Sequence, residues 1–335
     1  MTGSGAPLLD VRDLSIRIQG APEPIVDGVS FALNPGETLC IVGESGCGKS
    51  LTALALMGLM TTPPLQLAGG RAELQGQDLF GMAPEALRQT RGGRMAMIFQ
   101  EPMSSLNPAL KIGEQIAESV RVHQGVGAEA ARARALEMLE RVRIPAAEKR
   151  LSEYPHQLSG GMRQRAMIAM ALANDPALLI ADEPTTALDV TIQAQILDLM
   201  RTLTSESDAA LIMITHDLGV VAEMADKVAV MYAGRIVEAG SAAQVFDDPQ
   251  HPYTLGLMRS MPALGGARER LVTIPGSVPS PADMPPGCRF AARCPFAGPD
   301  CGAAPAFAEV APGHSVACWR APLEAATPAP EARIA

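Results

Sequence analysis

Two glycines, a lysine and a serine form the first group of residues in this chain with a clear chemical use. They belong to the segment Gly43-Glu44-Ser45-Gly46-Cys47-Gly48-Lys49-Ser50, which follows the apolar run Leu39–Val42 and precedes the helical run Leu51–Leu59. Glycines let successive backbone N–H groups turn toward one centre, and a helix start adds partial positive charge. Lys49 can reach terminal phosphates, and Ser50 can give an oxygen to Mg²⁺. The segment therefore predicts a loop that binds the phosphates of ATP.

Cys47 lies inside this loop, at a helix start where the pKa of a thiol tends to fall. One hypothesis is that alkylation of Cys47 blocks nucleotide binding. The other interpretation, which we favour, is that Cys47 is only a small residue that the loop tolerates. Leu51, at the start of the following helix, is predicted to lie at the same nucleotide site.

Polar side chains follow three further apolar runs. The run Leu178–Ala181 ends in Asp182 and Glu183, Gln100 follows another run, and His216 follows a third. A carboxylate such as Asp182 suits Mg²⁺, and Glu183 can orient or deprotonate an attacking water. Taken alone, Gln100 could be an ordinary surface residue and His216 a structural histidine. The phosphate loop earlier in the chain strengthens the interpretation of Asp182 and Glu183 as a Mg²⁺ ligand and a base.

Short apolar runs alternate with helical patterns along most of the chain. Runs of four to six residues that are apolar on both faces are typical of buried strands in a mainly parallel sheet. Thr191–Leu203 repeats Ile and Leu at helical spacing between two such runs. The alternation predicts an α/β fold with right-handed crossovers. The predicted strands are Leu39–Val42, Met95–Phe99, Leu178–Ala181, Leu211–Ile214 and Val228–Met231.

Composition divides the 335 residues into three parts. Residues 1–247 are predicted to form the nucleotide-binding domain, with a helical subdomain at about 102–171 because Glu129–Arg143 is rich in helix formers. Residues 248–321 are rich in Pro and Gly, which predicts a small loop-rich module. Residues 322–335 are predicted to be a disordered tail.

The net charge and the hydropathy pattern limit the classes of partner. A net charge of −9 argues against a nucleic-acid-binding protein, which usually has a basic face. No apolar run reaches the roughly 18 residues of a membrane-spanning helix, and no secretory signal is visible at the N-terminus. We therefore expect a cytoplasmic protein whose role at a membrane depends on a partner.

A second glycine-containing motif indicates a family. Leu158-Ser159-Gly160-Gly161-Met162-Arg163-Gln164-Arg165 resembles the signature motif of ABC-transporter ATPases. Ser159 can cap the helix that follows, and the helix start can face an anion. The alternative is an ordinary helix capped by Ser-Gly-Gly. The resemblance implies a RecA-like phosphate-loop NTPase core with a helical subdomain insertion and a small Cys-rich C-terminal module.

The resemblance also assigns roles that the residues alone do not. It implies a head-to-tail dimer in which Ser159, Gly160, Gly161 and Met162 of one subunit complete the ATP site of the other. Glu183 is then the catalytic base, and His216 contacts the γ-phosphate. Gln100 is expected to contribute to catalysis and to Mg²⁺ binding, together with Ser50 and Asp182, and to link the site to a membrane subunit.

Three further segments are similar to the oligopeptide/dipeptide importer branch of this family. They are Phe99–Pro108, Ala181–Thr191 and His251-Pro252-Tyr253-Thr254. The implied function is ATP hydrolysis that energises import of peptides or related solutes such as nickel chelates or glutathione. The implied partners are a second homologous ATPase in a heterodimer, two transmembrane permeases and an extracytoplasmic solute-binding protein. The implied location is the cytoplasmic face of the inner or cell membrane, as a peripheral protein.

The predicted adenine site departs from the pattern of this family. Its members usually place an aromatic ring near the first strand to stack on adenine, whereas this chain has Ile18 there and no aromatic residue before Phe31. Stacking of a base on an aromatic ring is worth about 1–3 kcal/mol in nucleic-acid complexes. The mode of adenine binding is therefore open.

Four of the six cysteines lie close together near the C-terminus, at Cys288, Cys294, Cys301 and Cys318. In a reducing compartment such a group favours a metal site over disulfides. Four thiolates can hold a 4Fe–4S cluster or Zn²⁺. The family resemblance favours the cluster, and Zn²⁺ is the alternative. Unligated or disulfide-bonded cysteines are the third possibility.

Two other functions are alternatives to the importer. A soluble ABC-type ATPase of DNA repair or translation would usually carry a coiled-coil insertion or two cassettes, and neither is visible. A catalytically dead regulatory subunit would lack part of the hydrolytic set, which is complete in this chain.

Overall fold

The computed structural model describes residues 6–101, 105–186, 188–260 and 274–323. Pro102–Ser104 at the start of the predicted helical subdomain, Ala187, and all but two residues of the predicted tail at 322–335 lie outside the described residues. The strands are β1 (Leu9–Ile18), β2 (Val26–Leu33), β3 (Thr38–Val42), β4 (Leu65–Leu74), β5 (Gln77–Asp78), β6 (Met95–Ile98), β7 (Leu178–Asp182), β8 (Ala210–Thr215), β9 (Lys227–Tyr232), β10 (Arg235–Ser241), β11 (Ala308–Ala311) and β12 (His314–Val316).

The helices lie between the strands and in two longer stretches of their own. None of the helices among the described residues has both the length and the apolar character needed to cross a lipid bilayer. The helices are α1 (Lys49–Leu56), α2 (Pro84–Thr90), α3 (Ile112–Gln124), α4 (Ala128–Arg141), α5 (Ala147–Arg150), α6 (Gly160–Leu172), α7 (Val190–Ser207), α8 (Leu218–Met224), α9 (Ala242–Asp247) and α10 (Pro252–Arg259).

Five parallel strands form the centre of the main sheet, in the order β6–β7–β8–β3–β9. Nearly every residue in them is buried, because elements cover both faces. These strands coincide with the five apolar runs in the sequence, so the predicted α/β fold with a mainly parallel sheet is confirmed.

The C-terminal part of the chain completes this sheet. β10 pairs antiparallel with β9, β12 pairs with β10, and β11 pairs with β12. Residues 308–316 therefore extend the sheet of the nucleotide-binding domain, although the sequence predicted a loop-rich module there. The two strands are only four and three residues long, which is too short for a pattern of alternating hydrophobicity.

A second sheet of four antiparallel strands, in the order β2–β1–β4–β5, was not identified from the sequence. In β1 the buried residues, such as Leu9, Val11, Leu14 and Ile16, are interspersed with exposed ones. This is the pattern of a sheet with one face in solvent, whereas the sequence analysis selected continuous apolar runs.

The parallel strands send alternate side chains into two separate apolar clusters. In β3, Leu39 and Ile41 point to the cluster shared with the antiparallel sheet and α1, while Cys40 and Val42 point to the cluster shared with the helical region. The described part of the predicted helical subdomain contains α3, α4, α5 and most of α6, and its residues Ile116 and Met138 belong to that second cluster.

Candidate nucleotide site

The phosphate loop connects the carboxyl end of β3 to α1, as the sequence predicts. Gly43 and Gly48 have φ values of 155° and 103°. A Cβ atom on Gly43 would lie 2.1 Å from the carbonyl oxygen of Met231, and one on Gly48 would lie 2.9 Å from the methyl group of the same residue. Both glycines are therefore required where the loop packs against β9.

Lys49 is buried, and its ammonium group lies inside the loop. It donates hydrogen bonds to the carbonyl oxygens of Gly43, at 2.7 Å, and of Glu44, at 2.9 Å. The positive charge of Lys49 therefore lies within the loop that the sequence predicts to bind phosphate. Leu51, in the first turn of α1, is half-buried and packs against the apolar cluster beneath the antiparallel sheet.

Ser50 and Asp182 come together from distant parts of the chain. The Ser50 hydroxyl donates to Asp182 Oδ1 at 2.9 Å. Burial raises the pKa of Asp182, and the neighbouring Glu183 raises it further, while the Ser50 hydrogen bond and Lys49 act in the opposite direction. A hydroxyl and a carboxylate this close fit a Mg²⁺ ion that also binds nucleotide phosphates. A cation there would relieve the cost of burying the Asp182 charge.

Glu183 is surrounded by three polar side chains. Its Oε2 accepts hydrogen bonds from Gln100 Nε2 at 3.1 Å and from Thr186 Oγ1 at 2.8 Å, and its Oε1 lies 3.3 Å from His216 Nδ1. The backbone of Glu183 has a left-handed φ of 45°, and its N–H donates to the carbonyl of Ile214 on β8. The structure therefore gathers Gln100, Glu183 and His216 at one place.

Thr186 was not singled out from the sequence, although it touches Glu183. It lies three residues after the carboxylate on the same turn, and its N–H donates to the Glu183 carbonyl oxygen. A hydroxyl residue three positions after a carboxylate at a strand end is the signal that could have found it.

The predicted signature segment begins α6. The side chain of Ser159 accepts a hydrogen bond from the Met162 N–H at 3.4 Å and so caps the helix. Ser159 and Gly160 are exposed, while Gly161 and Met162 are half-buried. The helix has 13 residues, and its capped start with an exposed glycine can bind an anion of a neighbouring molecule. Its predicted role toward the ATP of a partner stays a prediction.

Comparisons with known proteins agree with this geometry. A family model described as "ABC transporter" matches residues 26–186, and a model described as "Oligopeptide/dipeptide transporter, C-terminal region" matches residues 237–301. A relative from Brucella abortus (strain 2308), named "Putative peptide import ATP-binding protein", is 54% identical over 298 residues, covering 88% of this chain and 90% of the relative. The chain belongs to the ABC transporter family.

Other matches extend the likeness over nearly the whole chain and to solved structures. A relative of the same name from Brucella melitensis is 52% identical over 331 residues, covering 95% of this chain and 98% of the relative. A dimeric ATP-binding cassette in a post-hydrolysis state with ADP and Pi has a TM-score of 0.62 at 26% identity, covering 70% of this chain and 98% of that one. The structure of cbiO1 from Clostridium perfringens, part of the cbiONQ ABC transporter complex, matches with the same TM-score and identity over 73% of this chain and 92% of that one.

Cys47 of this ABC protein has a different environment from the one the alkylation hypothesis required. Its side chain is fully buried, and its sulfur lies 3.7 Å from the Lys49 ammonium nitrogen. Burial raises the pKa of the Cys47 thiol, and Lys49 offsets this only in part. The expectation of a lowered pKa was therefore wrong, and the thiol is shielded from reagents.

Ile18, the residue at the predicted adenine position, is half-buried at the end of β1. Its register partner is Leu65 at the start of β4. The position offers an aliphatic surface, and a contact with adenine there stays a prediction.

The C-terminal region touches the phosphate loop directly, a contact that the sequence did not predict. The N–H of Glu44 donates to the Tyr253 hydroxyl at 2.8 Å, and the Glu44 carboxylate accepts two hydrogen bonds from Arg293 at 2.6 and 2.9 Å. Tyr253 belongs to a segment that the sequence analysis matched to the importer branch. Arg293 lies between two of the clustered cysteines, and no local pattern marks it.

The four C-terminal cysteines are free and half-buried. Within the described ranges, no group of three or more His, Cys, Asp or Glu side chains could hold a metal ion. The predicted metal centre is therefore not confirmed. The cysteines are near enough to affect one another electrostatically, and the pKa of Cys294 is raised to about 11, chiefly by burial. Burial also raises the pKa of the Cys288 thiol, and backbone groups of Phe290 and Ala291 offset this only in part.

Proposed function

We propose that this chain is the ATP-binding and ATP-hydrolysing subunit of an ABC importer for peptides or related small solutes. The observation that carries the proposal is the convergence of Lys49, the Ser50–Asp182 pair and the Glu183 carboxylate at one edge of the sheet. The match of residues 237–301 to the C-terminal region of oligopeptide/dipeptide transporters supports the importer branch, as do the names of the relatives.

Each residue has a distinct part in this mechanism. Lys49 and the loop N–H groups bind the phosphates, and Ser50 with Asp182 would hold Mg²⁺, whose charge favours the phosphate oxygens. Glu183 orients the attacking water and accepts its proton, while His216 contacts the γ-phosphate. Gln100, which donates a hydrogen bond to Glu183, would also help to hold Mg²⁺ and would link the site to a membrane subunit.

We further propose that two cassettes share each ATP. The exposed start of α6 would face the phosphates bound by a homologous second subunit, and the solved dimer of a similar cassette supports pairing. Two permease subunits and an extracytoplasmic solute-binding protein would complete the importer. The chain would then lie peripherally on the cytoplasmic face of the inner or cell membrane.

The test of the function is the change Glu183→Gln. We expect ATP turnover to fall roughly 100-fold or more while ATP still binds, because the amide cannot accept the proton. Phosphate release and bound nucleotide would both be measured. Glu137→Gln, on the exposed face of α4, is the matched control and should keep its turnover. Near-normal hydrolysis by Glu183→Gln would remove Glu183 from this role.

A soluble ABC-type ATPase is the alternative function, and copurification separates the two. The importer predicts that the chain is recovered from detergent-solubilised membranes with two membrane subunits and a second ATPase. Recovery only as a free protein with full, uncoupled activity would favour the soluble alternative.

We also propose the division of the chain into three parts: a nucleotide-binding domain at residues 1–247, a C-terminal module at 248–321 and a tail at 322–335.

We further propose that Cys288, Cys294, Cys301 and Cys318 hold a 4Fe–4S cluster, with Zn²⁺ as the alternative. Four free, half-buried thiols that lie near enough to affect one another electrostatically support this donor set. Protein purified without oxygen should then contain about four irons per chain. Zinc without iron would contradict the cluster, and absence of both metals would contradict either site.

A further inference from the structure

Glu44 places a negative charge inside the loop that is to bind a triphosphate. An unpaired carboxylate there would repel ATP, because like charges at short range in a partly buried site are strongly unfavourable. Arg293 neutralises it with two nearly parallel hydrogen bonds at 2.6 and 2.9 Å, and the Arg293 side chain is only 6% exposed. Bidentate pairs of this kind are among the stronger ion pairs in proteins.

The guanidinium of Arg293 is held from several sides. It also donates to the carbonyl oxygens of Pro275 and Ile274, at 2.8 and 3.3 Å. Its central carbon lies 5.7 Å from the ring centre of Tyr232 and 6.0 Å from that of Phe290. An arginine fixed in this way keeps one orientation, unlike an arginine of an exposed salt bridge.

Glu44 connects this arginine to the phosphate-binding lysine. The backbone N–H of Glu44 donates to the hydroxyl of the fully buried Tyr253, and its carbonyl accepts from the Lys49 ammonium at 2.9 Å. The side chain, the N–H and the carbonyl of one residue thus meet Arg293, Tyr253 and Lys49. Arg289, a second arginine of the same segment, donates a hydrogen bond to the carbonyl oxygen of Ala233. The next residue, Gly234, donates its N–H to the carbonyl oxygen of Cys47 at the far end of the loop.

We propose that Arg293 is a positioning residue for the phosphate loop, through which the C-terminal region sets the affinity of this subunit for ATP. Arg293 acts by cancelling the charge of Glu44, the residue whose carbonyl oxygen accepts a hydrogen bond from Lys49. This rests on the proposed function, since it concerns the same ATP site.

The test compares Arg293→Lys with Arg293→Gln in the full-length chain, by equilibrium binding of ATP with Mg²⁺. The two side chains are similar in length, but only lysine keeps the charge. We expect Arg293→Gln to bind ATP about tenfold more weakly than Arg293→Lys, in the range of ordinary coupling between sites. Equal affinities of the two variants would overturn the proposal.

A double variant separates charge from structure. In Arg293→Gln with Glu44→Gln no carboxylate is left unpaired, so ATP affinity should recover most of the loss. No recovery would mean that Arg293 acts only by packing, and would overturn the proposal. Arg134→Gln, which breaks a comparable arginine network on α4, should leave ATP affinity unchanged. Failure of the wild-type chain to bind ATP would instead overturn the proposed function itself.

Discussion

Three neighbouring side chains contact the two carboxylate oxygens of Glu183. Gln100 and Thr186 share Oε2, while His216 lies beside Oε1. Because a base must keep a free lone pair for the proton it receives, the number and direction of these bonds determine how well it works. The Thr186 hydroxyl is the shortest of the three contacts, at 2.8 Å.

The change Thr186→Val tests this contact at the scale of one hydroxyl. Valine has nearly the same shape, so the turn should stay folded while Glu183 loses a donor. We expect kcat to fall by roughly 5- to 10-fold with little change in KM for ATP, because the loss concerns the orientation of the base and not the binding of phosphate. Steady-state phosphate release measures both constants.

The matched control is Thr186→Ser, which keeps the hydroxyl and removes only a methyl group. Its kcat should stay near that of the wild-type chain. A serine variant as slow as the valine variant would show that packing, and not the hydrogen bond, explains the loss.

At the scale of elements, α10 is capped by a histidine that cannot easily be charged. His251 Nδ1 accepts the N–H of Tyr253 at 3.0 Å, and the ring is 2% exposed. Burial lowers the pKa of His251 to about 3. The unfolded chain takes up a proton near pH 6.5, whereas the folded chain does not until much lower pH.

Stability should therefore fall as pH falls below about 6.5, since the unfolded state binds more protons there. One such histidine should lower the free energy of unfolding by roughly 2 kcal/mol between pH 6.5 and pH 5. Above pH 8 it should have almost no effect on that free energy. His251→Asn, which keeps a capping acceptor, should show a shallower decline. Urea unfolding at pH 5, 6.5 and 8 measures the difference. Identical slopes for the two proteins would contradict the role of His251.

The elements that the sequence predicted are those with a strong local signal. The strand Leu178–Ala181 and the helix around Ile196 have continuous or helical apolar patterns, and both are present in the structure. The antiparallel sheet was missed because one face of β1 is mixed, and β12 was missed because three residues carry no period. Glu183, Lys49 and Ser159 could be found from motifs, whereas Arg293 could not, because its partner is 249 residues away.

At the scale of the whole molecule, one buried carboxylate joins the C-terminal region to the cassette. Glu238 of β10 is fully buried and accepts hydrogen bonds from the N–H groups of Gln250 and His251, at 2.6 and 2.9 Å. Its Oε1 also lies 2.8 Å from His314 Nε2 on β12. β10, residues 250–251 and β12 therefore meet at one side chain.

Glu238→Ala should destabilise the protein by about 3 kcal/mol, because it leaves buried donors without an acceptor. We expect limited proteolysis to cleave within residues 248–321 sooner than in the wild-type chain. Glu223→Ala, on the exposed face of α8, is the control and should change stability by less than about 0.5 kcal/mol. A Glu238 variant as stable and as protease-resistant as this control would contradict the role of the carboxylate.

The pairing of β12 with β10 has a consequence for synthesis on the ribosome. While residues 308–316 are still inside the exit tunnel, β10 has an unpaired edge, and unpaired edges favour association between chains. The nascent chain would then expose the unpaired edge of β10 until residues 308–316 emerge from the tunnel. Stalled chains released at residue 300 should aggregate more than chains released at residue 323, which sedimentation of the translation products would detect.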